Sequence, residues 1–145
     1  MVVVGQTGAA GHRLVPHTAD CAIEAWGPDR VTCLTEALTG LVEGFAVVPD
    51  AAAVQVLPLG ASSGGAEDVL VSLLEDVIYV LDVFSVVPVG FHLAETEDGT
   101  VAGDMEVVPV GQVQVVGPAP KAVSYHDLSM AEQEAGWRCH VLVDV

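Results

Sequence analysis

Between Glu67 and Phe84 the apolar residues Leu70, Leu73, Leu74, Val77, Ile78 and Leu81 fall at i, i+3, i+4, i+7, i+8 and i+11. That spacing draws one unbroken apolar stripe down an α-helix. Such a stripe must be buried against another layer, so the rest of the chain has to supply an apolar face to receive it. Glu67 and Asp68 fall in the first turn, where negative charge complements the helix dipole. The surrounding stretch, 69–91, is greasy enough to suggest a membrane span, but it contains Glu75, Asp76 and Asp82. An acid at mid-membrane costs about 2.5–3.5 kcal/mol, and three would outweigh the apolar gain. The stretch predicts a core helix, not an anchor, and no membrane association.

The receiving layer is legible as strands. From His17 to Trp26 the residues alternate, with Ala19, Cys21, Ile23 and Ala25 on one side and Asp20, Ala22, Glu24 and Trp26 on the other. Gly27-Pro28-Asp29 closes that strand. Thr32 is a plausible N-cap for a second helix with the stripe Leu34, Leu38, Leu41, Val42 and Phe45, ending before Pro49. Val54 to Leu59 reads as a short strand that Pro58 confines to an edge, and 60–65 as a flexible connector. Beyond Pro88 come strands at 89–95, 101–108, 112–116, 122–128 and 137–144, with turns at Asp98-Gly99 and over 131–136. Two helices segregated from a mostly antiparallel sheet make the fold class α+β. At 145 residues the chain fits a single domain, expected over 15–145, behind a flexible N-terminal tail over 1–14.

Charge narrows the function classes. Twenty acids stand against Arg13, Arg30, Lys121 and Arg138, for a net charge of −16. Tight nucleic-acid binding rests on several Lys or Arg contacts to phosphate, so direct RNA or DNA binding is not expected. An acidic protein can instead meet a partner with a basic face, and the same charge keeps a chain of mean hydropathy +0.55 soluble. Cys21, Cys33 and Cys139 are odd in number, far apart and without a CxxC pair, which points to reduced thiols and a cytoplasmic location. The first residues lack the basic and apolar regions of a signal peptide.

Three polar islands could carry chemistry: His17-Thr18-Ala19-Asp20, Lys121-Ala122-Val123-Ser124-Tyr125-His126 and Asp144-Val145. If the first and last strands are neighbours, Asp20, Asp144 and the α-carboxylate of Val145 can converge, and convergent hard oxygens are what calcium or magnesium requires. By spacing alone, solvated surface acids are the commoner outcome. His17 and His126 could each ligate a metal or act as a base, and each could equally be a hydrogen-bonded strand-end histidine. Cys21 and Cys139 alternate inward and read as small core residues. A zinc site from His17, Cys21, His126, Cys139 and His140 can be drawn, but its spacings match no zinc signature. Lys121 could contact an acidic group of a partner or balance the acids; a plain surface lysine is the ordinary alternative. Glu75, Tyr79 and Asp82 share a helix face at i, i+4 and i+7, read as solvated.

These three islands, in this order and over nearly the whole chain from His17, resemble the archease family, small protein cofactors of RtcB-type RNA-splicing ligases. That family opens its core with His-Thr-Ala-Asp, carries Lys-Ala-Val-Thr-Tyr-His and ends on an acid plus an aliphatic residue. Ser124 replaces the usual Thr, Pro120 stands where Val is common, Gly103-Asp104 replaces Gly-Glu, Glu75-Asp76 replace an Asn-Glu pair, and 105–120 follows the family poorly. The resemblance implies a metal site at Asp20, Asp144 and Val145, with His17, Lys121 and His126 as supporting or partner-contact residues. It implies a protein with no reaction of its own that helps a ligase become guanylylated and turn over repeatedly in tRNA splicing. Chaperone-like or specificity-modulating roles toward RNA-modifying enzymes are also linked to the family. The rival from another class is a small metal-dependent hydrolase using Asp20, His126 and Asp144.

Overall fold

The computed structural model describes residues 9–16, 20–50 and 54–145. His17, Thr18 and Ala19 of the opening island lie outside the described residues, as does the expectation that 1–8 belong to a tail. In chain order the elements are β1 (Gly11–Pro16), β2 (Asp20–Gly27), α1 (Arg30–Glu43), β3 (Ala46–Val47), β4 (Gln55–Ser62), α2 (Ala66–Phe84), β5 (Val86–Glu95), β6 (Val101–Pro109), β7 (Gln114–Val115), β8 (Ala122–Gln133) and β9 (Gly136–Asp144). All strand pairs are antiparallel. They form a four-stranded sheet in the order β1-β2-β9-β8, a three-stranded sheet β4-β6-β5 and the two-stranded pair β3-β7. With two helices packed on these sheets, the architecture is α+β, as expected.

Both helical stripes face the core. Leu34, Leu38, Leu70, Leu73, Leu74 and Val77 are wholly buried, and each fully buried leucine side chain is worth about 1.5–3 kcal/mol relative to exposure. Along α2 the buried arc is wider than one stripe: Val69, Val71 and Val80 are buried too, while Ile78 and Leu81 are only partly covered. The breadth follows from its neighbours, because α2 packs on β4, β5, β8 and α1 together. β4 lies at a sheet edge, the position in a sheet where a proline such as Pro58 is tolerated. Pro88 sits in β5, also an edge, beside a register shift between Pro88 and Gly90. Gly103 admits the closest backbone approach in this sheet, since a Cβ there would lie 1.8 Å from the His92 carbonyl oxygen.

Several boundaries differ from the sequence reading. α1 begins at Arg30, and its N-cap is Asp29, whose carboxylate accepts from the Thr32 N–H at 2.8 Å. Thr32 is therefore the capped residue and not the cap. β4 extends through Ser62 into the expected connector, and β8 runs to Gln133, shortening the expected turn to the two residues before Gly136. Of 112–116 only Gln114–Val115 is strand, preceded by a 3-10 turn at Val110–Gln112.

The largest difference is β1, since Gly11 to Leu14 fall within the stretch read as tail. β1 pairs along β2 from Gly11↔Trp26 to Pro16↔Cys21. Leu14 packs against the core, but the neighbouring anchors are polar, so no hydrophobic period advertises the strand. Arg13 pairs with Glu24 across the strands, its Nε 2.9 Å from Oε1. His12 bridges to α1, with Nδ1 2.8 Å from Glu36 Oε1 and Nε2 2.5 Å from Glu43 Oε1. Gly40 leaves room for that ring, because a Cβ there would come within 3.1 Å of His12 Cδ2.

Burial alone would lower the His12 pKa, but the hydrogen bonds and charges of Glu36 and Glu43 outweigh it and raise the pKa above 6.5. A raised folded-state pKa gives stability that is fully present below the unfolded value and is lost as pH rises through the folded one. We expect His12→Ala to cost on the order of 1 kcal/mol at pH 5.5, as charge-assisted bonds do. The difference from wild type should shrink as pH climbs past the raised pKa. Urea unfolding of both proteins across pH 5.5–9 checks it; a difference that grows with pH would contradict the ion-paired imidazolium.

Candidate functional site

Two strands from opposite ends of the chain build the site. β2 and β9 pair residue for residue from Asp20↔Asp144 to Gly27↔Trp137. The ladder is held by Ile23, Ala25, Val141 and Val143, which are buried and belong to the core. Asp144 has a neighbour on its other side, since β9 also pairs Asp144 with Ala122 of β8, and the Lys121 N–H donates to the Asp144 carbonyl at 2.8 Å. The acid of the first island, the base that opens the second and the acid of the third are thus adjacent at one end of one sheet. Residues directly opposite in an antiparallel pair share a face, and like charges so placed repel.

Two depressions meet there. A cavity of about 320 Å³ is lined by Asp20, Cys21, Gly117, Pro118, Pro120 and Val145, with apolar walls that include Ile23 and Leu41. Asp20 Oδ1 is shut off from solvent, whereas Asp144 is exposed. Burial pushes the Cys21 thiol up, the Val15 backbone bond opposes that, and the Asp20 charge adds to it. Beside the cavity lies an open groove of about 910 Å³, with Glu75, Tyr79 and Asp82 of α2 on one wall and 118–122 on the other. Val145 lines both depressions. The face of α2 read as solvated is therefore one wall of a groove that Lys121 and Val145 complete. The helical spacing alone could have grouped these three residues, but it carries no sign of what stands opposite. Asp76, next to Glu75, points elsewhere: its Oδ2 accepts from the Gly60 N–H at 3.2 Å, and burial raises its pKa against that bond.

His126 is placed differently. β8 carries a bulge between Ser124↔Leu142 and Ser129↔His140, where the residues 125–128 face Val141 alone. Asp127 adopts a left-handed φ of 57° at its centre, and its carbonyl is 2.9 Å from His140 Nδ1. The bulge presents Tyr125, 66% exposed, and His126 to solvent, with His126 Nε2 3.3 Å from Asp127 Oδ2. His126 lines neither depression. Of the five residues drawn as a zinc site, His17 lies outside the described residues, and the others are not brought together, with Cys139 in the core and His126 on the bulge. Among the described residues no three His, Cys, Asp or Glu side chains group as a metal site. The candidate cation site instead has two side-chain carboxylates plus Val145, an all-oxygen set suited to a hard cation. Among the described residues no helix is long and apolar enough to cross a membrane.

An antiparallel α+β domain with a carboxylate pair where its first and last long strands meet defines the class. The Archease protein family matches residues 12–145. Proteins named "Probable protein archease" in two strains of Mycobacterium tuberculosis are 40% identical over 145 residues, covering 99% of this chain and 80% of theirs. This chain belongs to the archease family. Among solved structures, protein 1598 of Methanobacterium thermoautotrophicum superposes with a TM-score of 0.66 at 17% identity, covering 93% of this chain and 99% of that one. A Thermotoga maritima archease described as a "possible chaperone" superposes with a TM-score of 0.60 at 21% identity, covering 92% and 96%. At those identities the two structures establish the shared fold.

Opposed carboxylates carry a stability signature. In a metal-chelating buffer, Asp144→Asn should keep the fold and raise stability by a few tenths of a kcal/mol, on the order of what one cross-strand pair is worth. Urea midpoints of both proteins in chelator check it; a clear loss of stability would show that the Asp144 charge is already compensated within the chain.

Proposed function

We propose that this protein is a non-catalytic, cation-binding cofactor of an RtcB-type RNA ligase, promoting ligase guanylylation and repeated turnover in tRNA splicing or RNA repair. The observation that carries the reading is the register pairing Asp20 with Asp144, beside Val145. In this reading Asp20, Asp144 and Val145 hold calcium or magnesium. When bound, the cation supplies positive charge at an otherwise acidic surface. The chain's own groups orient and receive: Asp20 is fixed by the β2–β9 ladder, Lys121 by its backbone bond to Asp144, and Glu75, Tyr79 and Asp82 present a polar, acidic wall to a partner. The net charge of −16 favours docking on a basic ligase surface over contact with RNA. His126 and Tyr125, raised on the bulge, are accessible to the same partner. The "possible chaperone" description of the Thermotoga relative supports a broader second reading, an acidic chaperone that would assist many clients without needing the cation.

Ligation assays separate these readings. Sub-stoichiometric protein should convert a cognate ligase from single to multiple turnover, and Asp144→Asn or a C-terminal extension beyond Val145 should weaken both cation binding and activation. An N-terminal extension should leave both unchanged. Since a hard cation depends on ligand charge, calcium titration should show tenfold or greater loss for Asp144→Asn. Association with the ligase should also weaken as salt rises, because the Debye length falls from about 10 Å at 0.1 M to about 3 Å at 1 M. If the two altered chains activate as well as wild type, the cation site is wrong; activation of unrelated enzymes by all of them favours the chaperone. Nucleotide hydrolysis by the protein alone, abolished by Asp20→Ala, would favour a hydrolase.

A further inference from the structure

Cys33 and Cys139 are far apart in sequence and adjacent in space. Cys33 lies in the first turns of α1 and Cys139 in the middle of β9, and both are buried, at 0% and 5% exposure. Ala25 of β2 sits between them. It is the register partner of Cys139, and its carbonyl accepts from the Cys33 thiol with Sγ 3.6 Å from the oxygen. Both cysteines therefore flank the same residue inside one core cluster. Neither cysteine belongs to the cavity or the groove of the candidate site. We propose that Cys33 and Cys139 form a dithiol that a small peroxide converts to a disulfide, stapling α1 to the central strand β9.

The arrangement divides the roles. The Cys139 pKa is lowered, first by the neighbouring Cys33 and then by the Ala25 backbone and Arg138, against burial. Cys33 is pushed the other way, by the neighbouring Cys139 and by burial. Cys139 is therefore the first nucleophile and Cys33 the resolving thiol, because the thiolate is the reactive form. The Cys139 thiolate attacks one oxygen of hydrogen peroxide, the O–O bond breaks, and the departing hydroxide takes a proton and leaves as water. The sulfenic acid left on Cys139 is then attacked by the Cys33 sulfur. The S–O bond breaks, and the hydroxide leaves with the Cys33 proton as a second water. In sum, two thiols and one peroxide give one disulfide and two waters, the sulfurs oxidised and the peroxide oxygens reduced. Cys21, half-buried and away from this pair, has no resolving neighbour there.

The test uses the full chain treated with hydrogen peroxide, then denatured, alkylated and digested. We expect a Cys33–Cys139 linked peptide, a loss of two alkylation sites, reversal by dithiothreitol, and a thermal midpoint higher in the oxidised protein than in the reduced one. Cys21→Ser should give the same linked peptide. Cys33→Ala, with its fold checked by circular dichroism, should stop at a sulfenic acid on Cys139 that dimedone traps. Should Cys33→Ala not fold, the wild-type and Cys21→Ser digests decide by themselves. The proposal is overturned if Cys33 and Cys139 stay alkylatable while Cys21 oxidises, or if Cys139 passes to sulfinic acid in wild type without a link to Cys33.

Discussion

The pairing of β2 with β9 joins segments more than a hundred residues apart, and the rest of the domain is arranged around it. Joining such distant segments carries a loop-closure cost before any contact repays it. Here the repayment comes from one face of the ladder, where Ile23, Ala25, Val141 and Val143 enter the core against α1. β1 and β8 are then added to its two outer edges. Because side chains alternate with a period of two, a slip of one residue would expose Ile23 and Val141. The same slip would take Asp20 off Asp144. Burial of the apolar face thus sets the registration of the carboxylates.

How much of this was legible follows from which forces leave a period in the sequence. α1, α2, β2 and β9 bury regular apolar positions, so their existence and approximate bounds follow from spacing. β1 does not: Leu14 packs against the core, but its other anchors are an ion pair from Arg13, an imidazole between Glu36 and Glu43, and a glycine beneath Trp26, where a Cβ would lie 2.7 Å from Cζ2. Those contacts are made to distant residues and have no local signature. The bulge in β8 was hidden for a similar reason, because Tyr125 and His126 sit in a run that reads as continuous strand, and only the register with β9 shows the extra residues. The Asp20–Asp144 neighbourhood was conditional on one topological fact, and the topology satisfied it. The contact between Cys33 and Cys139 had no precursor at all, since proximity of two lone cysteines depends wholly on how helix and sheet pack.

The four basic residues show how charge is distributed in so acidic a chain. Arg13 pairs with Glu24, Arg30 joins α1 to Glu95 and the Gly99 carbonyl, and Arg138 lies 5.2 Å from the Trp26 ring centroid. All three tie one element to another. The Arg13 pair is solvent-exposed and of small energetic value, but the Arg30 side chain is only 14% exposed and makes both contacts at once. Lys121 is spent differently. It stands in the groove with Glu75, Asp82 and Val145, at the end of the sheet where acids accumulate. A domain with so few cations has placed three of them in architecture and one at the candidate site.

β2 links these features mechanically. At one end Asp20 faces Asp144; five residues on, Ala25 holds the Cys33 thiol on its carbonyl and pairs with Cys139; along its outer edge β1 is fastened to α1 through His12. A change that alters how α1 sits on this sheet, whether deprotonation of His12 or a bond between Cys33 and Cys139, therefore acts on the same strand that positions the acid. Packed interiors respond to such changes by small shifts of whole elements more readily than by local compression. Because Leu41 of α1 and Ile23 of β2 also wall the cavity that Asp20 lines, any shift of α1 against β2 changes that cavity directly. The carboxylate pair is exposed to the chemistry of the core through the strand that carries it.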